Sequence, residues 1–188
     1  MNASPTTTRK RTVDLVYIAL FACLIAICAW ITVPMTVPFT LQTFGVFCAV
    51  GLLGGKRGTI AVLVYILLGA VGLPVFSGFK GGFGALIGTT GGYIVGFIFS
   101  ALIYWLVTSL GRQKLWSMIL GMVLGLAACY AFGTVWFMAV YAKTTGAIGL
   151  MTALGWCVFP FILPDAVKIA LALALTKLLK PHIKSLSA

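Results

Sequence analysis

The chain has 188 residues, 62% of them hydrophobic and 8% charged, with 13 Lys and Arg against 2 acidic residues for a net charge of +11. A mean hydropathy of +1.16 describes a chain whose folded surface water could not solvate, which excludes a soluble domain. At about 20 apolar residues per crossing, the length accommodates about five to seven membrane spans joined by short loops and leaves little for an extramembrane domain.

The excess positive charge comes from missing acids, since Asp14 and Asp165 are the two acidic residues, and the basic residues gather between apolar runs. The positive-inside rule accounts for such clusters without a polyanionic partner, so nucleic-acid binding is set aside. Cys23, Cys28, Cys48, Cys129 and Cys157 sit in apolar stretches with no C-x-x-C spacing, reading as small buried hydrophobes and not as disulfide or metal ligands.

After a polar start carrying Arg9, Lys10 and Arg11, a first helix is expected from Asp14 to Ile31, with Asp14 in its first turn and Pro34 and Pro38 in the loop that follows. Leu20-Phe21-Ala22-Cys23 loosely resembles a lipoprotein cleavage box, but equally apolar downstream sequence favours an uncleaved helix. The second run, Leu41 to Leu53, is short for a spanning helix, which suggests shelter by neighbours, and Gly54-Gly55-Lys56-Arg57 separates it from a third, Thr59 to Leu73. Pro74 to Thr90 is irregular and rich in Gly and Phe, an apolar loop expected to fold back onto the protein. A fourth helix is expected at Gly91–Leu110 and a fifth at Leu115–Tyr141. The sixth ends near Leu179 and begins between Leu150 and Phe161, where Pro160 and Pro164 interrupt the pattern.

The sequence therefore predicts an all-α membrane protein, a compact bundle of six transmembrane helices over 14–180 with tails at 1–13 and 181–188. A cytoplasmic N-terminus places Arg9, Lys10, Arg11, Lys56, Arg57, Arg112, Lys114, Lys177, Lys180 and Lys184 inside, ten of the 13 basic residues. Lys80 and Lys143 fall outside and Lys168 falls within a helix, so both termini are expected in the cytoplasm of a cell-membrane protein surrounded by lipid.

Phe161-Ile162-Leu163-Pro164-Asp165-Ala166-Val167-Lys168 carries the most information, because its carboxylate and ammonium are three residues apart and share a helix face. Burying either ion costs about 2.5–3.5 kcal/mol on the insertion scale, so such residues face a cavity, a partner or each other. Near the outer end of the sixth helix, Lys168 could neutralise an anionic group and Asp165 could accept N–H donors from a ligand, the alternative being a self-neutralising structural pair. Gly88, Gly92 and Gly96, like Gly121 and Gly125, read as close helix packing, and Ala19, Ala22, Ala26 and Ala29 form a small-residue face on the first helix. No phosphate-binding loop exists, since Gly55-Lys56 is followed by Arg57 and has Val50 where the first glycine belongs, so this chain cannot power transport with its own ATPase. The sole histidine, His182, lies in the tail, and no catalytic or metal-ligating set accompanies it.

Four segments in order, Val37-Pro38-Phe39-Thr40-Leu41-Gln42-Thr43, Gly69-Ala70-Val71-Gly72-Leu73-Pro74-Val75-Phe76, Thr90-Gly91-Gly92-Tyr93-Ile94-Val95-Gly96-Phe97 and Pro164-Asp165-Ala166-Val167-Lys168, together resemble the BioY family over residues 14 to 180. The resemblance implies the six-helix S-component fold of an energy-coupling-factor (ECF) importer, high-affinity biotin capture on the outer side, and partnership with a transmembrane coupling (T) subunit and two cytoplasmic ATPases. It implies no cofactor on this chain, ATP being hydrolysed by the partners, and assigns coupling-subunit docking to the alanine face at Ala22 and Ala26. Thr89, where proline is expected, and Lys80, a charge in a loop that is usually neutral, depart from the family pattern. Biotin offers a carboxylate, a ureido ring with donors and an acceptor, and an apolar body, so a site needs polar handles and an apolar wall. On this reading Asp165 takes the ureido donors, Lys168 an anionic or carbonyl oxygen, Gln42, Ser77, Thr90 and Tyr93 are neutral hydrogen-bonders, and Phe76 and Phe79 form wall. A stand-alone vitamin carrier is the alternative.

Overall fold

Apolar runs bounded by Gly and Pro become helices in the computed structural model, which describes residues 5–112 and 114–186. In chain order these are α1 (Pro5–Trp30), α2 (Gln42–Leu53), α3 (Gly55–Ala70), α4 (Phe83–Ile87), α5 (Gly91–Leu110), α6 (Leu115–Thr144), α7 (Leu150–Cys157) and α8 (Phe159–Leu186). A two-stranded antiparallel hairpin, β1 (Thr32–Val33) against β2 (Phe39–Thr40), joins α1 to α2.

Several boundaries differ from expectation. Helix α1 begins at Pro5, not Asp14, because no breaker intervenes and a proline in the first turn has no N–H to leave unpaired. Asp14 is therefore well inside the helix, where it pairs with Arg57 Nη2 at 2.8 Å. The expected sixth helix is two, broken at Val158, and Pro164 lies inside α8. The irregular stretch at 74–90 contains a 3-10 turn at Ser77–Phe79 and the short α4. Of the expected tails, 1–4 and 187–188 lie outside the described residues, and of Arg9, His182 and Lys184 only the helical backbone is described.

Four helical stretches among the described residues are long and apolar enough to cross a membrane: Lys10–Trp30, Gly91–Leu110, Leu115–Thr144 and Leu150–Pro181. Helix α2, with 12 residues, reaches only about 18 Å, against a hydrocarbon core of about 30 Å. It is hydrophobic on every side because it is the central helix, packed against α1, α3, α5 and α8 and buried from Gly45 to Leu53. Its turn into α3 passes through Gly54, whose φ of 83° is open to glycine.

Helices α5 and α6 share the most extensive seam. A Cβ on Gly125 would lie 2.7 Å from the Ser100 carbonyl oxygen, and one on Gly96 would lie 2.9 Å from Cys129 Sγ. Those glycines let the backbones approach, as their spacing predicts, whereas Gly88 caps α4 and accepts a 3.0 Å hydrogen bond from Trp136 Nε1. The pairing of residue 96 with 129 and of 100 with 125 makes α5 and α6 antiparallel. Contacts from Gly51 to Thr176 and from Thr43 to Asp165 make α2 and α8 parallel. One end of the bundle thus collects the end of α1, the starts of α2, α5 and α8, and the ends of α3 and α6.

The outer surface is apolar, with Leu15, Val71, Leu106, Leu163 and Leu178 exposed. Buried hydroxyls inside helices are satisfied locally: Thr59, Thr108 and Thr176 each donate 2.7 Å bonds to the carbonyl four residues earlier. Cys28, Cys48, Cys129 and Cys157 are buried, and Cys23 faces outward.

Candidate functional site

At the end of the bundle opposite the α2–α3 turn, helices and loops surround a cavity of about 640 Å³. The hairpin loop supplies Met35 to Pro38, the start of α2 supplies Gln42 and Thr43, and the 3-10 turn region supplies Phe76, Ser77 and Lys80. Thr90 and Tyr93 come from the start of α5, Cys129 and Tyr130 from the middle of α6, and Phe161, Asp165 and Lys168 from α8. The volume lies in the usual range for small-molecule sites, about 300–1,000 Å³.

Asp165 and Lys168 are 2% and 5% exposed and form an ion pair of 2.7 Å, one helical turn apart on α8. Lys168 Nζ also donates to the Thr40 carbonyl at 2.7 Å and to Thr43 Oγ1 at 3.0 Å. Thr43 in turn donates to Asp165 Oδ1 at 2.9 Å, and Tyr130 donates its hydroxyl to Asp165 Oδ2. All three ammonium donors are used, and the carboxylate, with about four acceptor sites, keeps room for one more donor. The Lys168 ammonium further lies 4.3 Å from the centre of the Phe39 ring, a cation–π contact. Charges this deeply buried persist because each is paired and hydrogen-bonded.

A second network fixes the neighbouring amide. Gln42 Nε2 donates to Tyr65 Oη at 2.7 Å, and Tyr65 donates onward to the Val75 carbonyl at 3.2 Å. Since the tyrosine proton is spent on Val75, Gln42 must present its NH₂ to the phenol, which leaves its Oε1 as an acceptor for the cavity.

Seven of the eight residues expected to bind ligand line this cavity: Asp165, Lys168, Tyr93, Thr90, Ser77, Gln42 and Phe76. The Tyr93 hydroxyl shares a 3.0 Å bond with Thr134, and Ser77 Oγ lies 3.0 Å from Thr32 Oγ1, which ties the 3-10 turn to the hairpin. Phe79 is outside the lining: it is 63% exposed, has a positive φ of 57° and stacks on Trp30 at 5.1 Å. Thr43, Tyr130 and Phe39 escaped the sequence reading. Thr43 and Phe39 at least lie in the Val37–Thr43 motif, whereas Tyr130 sits in an unmarked apolar run, 35 residues from the carboxylate it contacts.

The partner-docking expectation needs correction. Ala22 and Ala26 are 1% and 5% exposed and belong to the internal core, where small side chains let α2 and α3 approach α1. The outward face of α1 runs instead through Leu15, Ala19, Cys23 and Ile27.

Curated relatives match this chain over nearly their full length. The biotin transporter BioY of Thermotoga maritima is 40% identical over 168 residues, covering 89% of this chain and 95% of the relative. The probable biotin transporter BioY of Pyrococcus horikoshii is 38% identical over 164 residues, covering 87% and 93%. The fold matches the 2.1 Å crystal structure of the S-component for biotin from an ECF-type ABC transporter, with a TM-score of 0.80, 27% identity and 91% and 92% of the two chains covered. With its membrane-length helices the chain is a multi-pass integral membrane protein of the cell membrane. The BioY family model matches residues 1–185, and the chain belongs to the BioY family.

Proposed function

We propose that this chain captures biotin from outside the cell as the substrate-binding S component of an ECF-type importer. The observation that carries the reading is the cavity whose buried end holds Asp165, braced by Lys168, Thr43 and Tyr130, beside the Gln42 acceptor and the apolar Phe76 and Phe161. Ureido N–H donors find acceptors at Asp165 and Gln42 Oε1, and the apolar ring system finds a wall. Lys168 engages a ligand oxygen by releasing one of its present acceptors. The chain serves transport and not catalysis, in keeping with relatives named as transporters.

Six crossings with both termini in the cytoplasm are part of the same proposal: α1, α2, α3, α5, α6 and α8, with α4 and α7 within the outer loops. Support comes from the basic residues at the end of the bundle opposite the cavity, among them Lys56, Arg57, Arg112 and Lys114. A T subunit and two ATPases would supply coupling and ATP hydrolysis, as the sequence carries no phosphate-binding loop, and no cofactor is expected on this chain itself. A membrane partner reaching α1 meets the face of Ala19 and Cys23, not Ala22 and Ala26.

Isothermal titration of the purified full chain in nanodiscs tests the assignment. Tight binding of biotin with no binding of riboflavin or thiamine is expected, and millimolar or absent biotin binding sinks it. Uptake by cells with and without the ATPase partners then separates an S component from a stand-alone carrier.

A further inference from the structure

We propose that Lys80 recognises the ligand's carboxylate, so that the site selects a monocarboxylate held with its uncharged hydrogen-bonding head at Asp165 and its anionic tail at the mouth. The inference rests on the biotin reading above and adds to it the group that sets tail chemistry.

Charge makes the first argument. Three charged side chains line the cavity, Lys80, Lys168 and Asp165, which together carry one net positive charge. Lys168 and Asp165 neutralise each other at 2.7 Å, so the unbalanced charge belongs to Lys80. A cavity with net positive charge favours an anionic ligand over its neutral analogue.

Donor use makes the second. The Lys168 ammonium spends its three N–H groups on Thr40, Thr43 and Asp165, and a ligand carboxylate drawn there would also face the Asp165 carboxylate. Among the described residues the Lys80 ammonium makes no hydrogen bond or ion pair, although the residue lines the same cavity. The free cation and the saturated one therefore have different work to do.

Position makes the third. Asp165 is 2% exposed, whereas Lys80 is an exposed residue in the loop between α3 and α4. The two ends of the cavity differ in chemistry, a buried acceptor-rich end and a cationic rim. The rim cation is well anchored: the Phe76 N–H donates to the Lys80 carbonyl at 2.9 Å, and the Gly82 N–H donates to the Gly69 carbonyl at 2.7 Å. Binding thus orders one flexible side chain on a backbone already in place.

The test compares biotin with biotin methyl ester by isothermal titration of the full chain in nanodiscs, for the unmodified protein and the Lys80→Met and Lys80→Arg variants. The unmodified protein is expected to prefer biotin over the ester by about tenfold, as for a hydrogen bond to a charged group. Lys80→Met is expected to weaken biotin by about tenfold and leave the ester unchanged, so that the two affinities converge, with Lys80→Arg keeping the preference. Raising salt should narrow the preference only where the cation is present. Equal losses for both ligands in Lys80→Met, or no loss for biotin, overturn the role of Lys80 while leaving biotin binding intact. Failure of the unmodified protein to bind either ligand overturns the biotin reading itself.

Discussion

Tyr130 and Thr43 donate hydrogen bonds to the Asp165 carboxylate beside the Lys168 ammonium, and this changes what each substitution does. Lys168→Ala leaves a carboxylate that is 2% exposed without its counter-ion, for a destabilisation of about 3–5 kcal/mol. The double variant Asp165→Asn with Lys168→Met removes both charges and should recover most of the thermal stability while biotin binding stays weak, because the charged acceptor for the ureido donors is replaced by a weaker neutral one. Thermal unfolding in detergent read beside biotin titration checks the pair. Restored stability with unmodified affinity would return the two residues to a purely structural role.

Helix α1 presents two small-residue faces, and burial decides which one is free. Ala22 packs inside at 1% exposure, so Ala22→Leu overpacks the core, for a loss of about 1–3 kcal/mol whether or not a partner is present. Ala19→Leu, on the outward face, is expected to leave the isolated chain's melting temperature unchanged. Unfolding curves of the two variants without partners decide the matter: equal melting temperatures would mean that Ala22 is not packed as described. The same logic explains α2, whose apolar residues face neighbouring helices on all sides and whose shortness therefore exposes no backbone to lipid.

Across the whole molecule, chemistry separates to opposite ends: the cavity with Lys80 at one, and the α2–α3 turn with Lys56 and the Asp14–Arg57 pair at the other. If the cavity opens outward, Lys80→Cys is expected to react with a membrane-impermeant maleimide added to intact cells. Lys56→Cys should react only after the membrane is opened. Labelling in a Cys23→Ser background, which removes the one exposed native thiol among the described residues, reads this directly; the reverse pattern would invert the proposed orientation.

Composition and hydropathy determined that the chain is helical and membrane-embedded, because lipid leaves a backbone few ways to satisfy its own hydrogen bonds and long apolar runs satisfy them locally. The Asp165–Lys168 spacing also marked a site by itself, since two ions one helical turn apart in apolar sequence must answer to something. Local signals could not reach further. Tyr130 joins that site from another helix, Phe79 stacks on Trp30 outside the cavity, and Ala22 turns inward while Ala19 turns outward. Periodicity places residues on a common face of a helix, but which face meets protein and which meets lipid depends on how helices distant in sequence pack, and here both surroundings are apolar, so hydropathy cannot tell them apart.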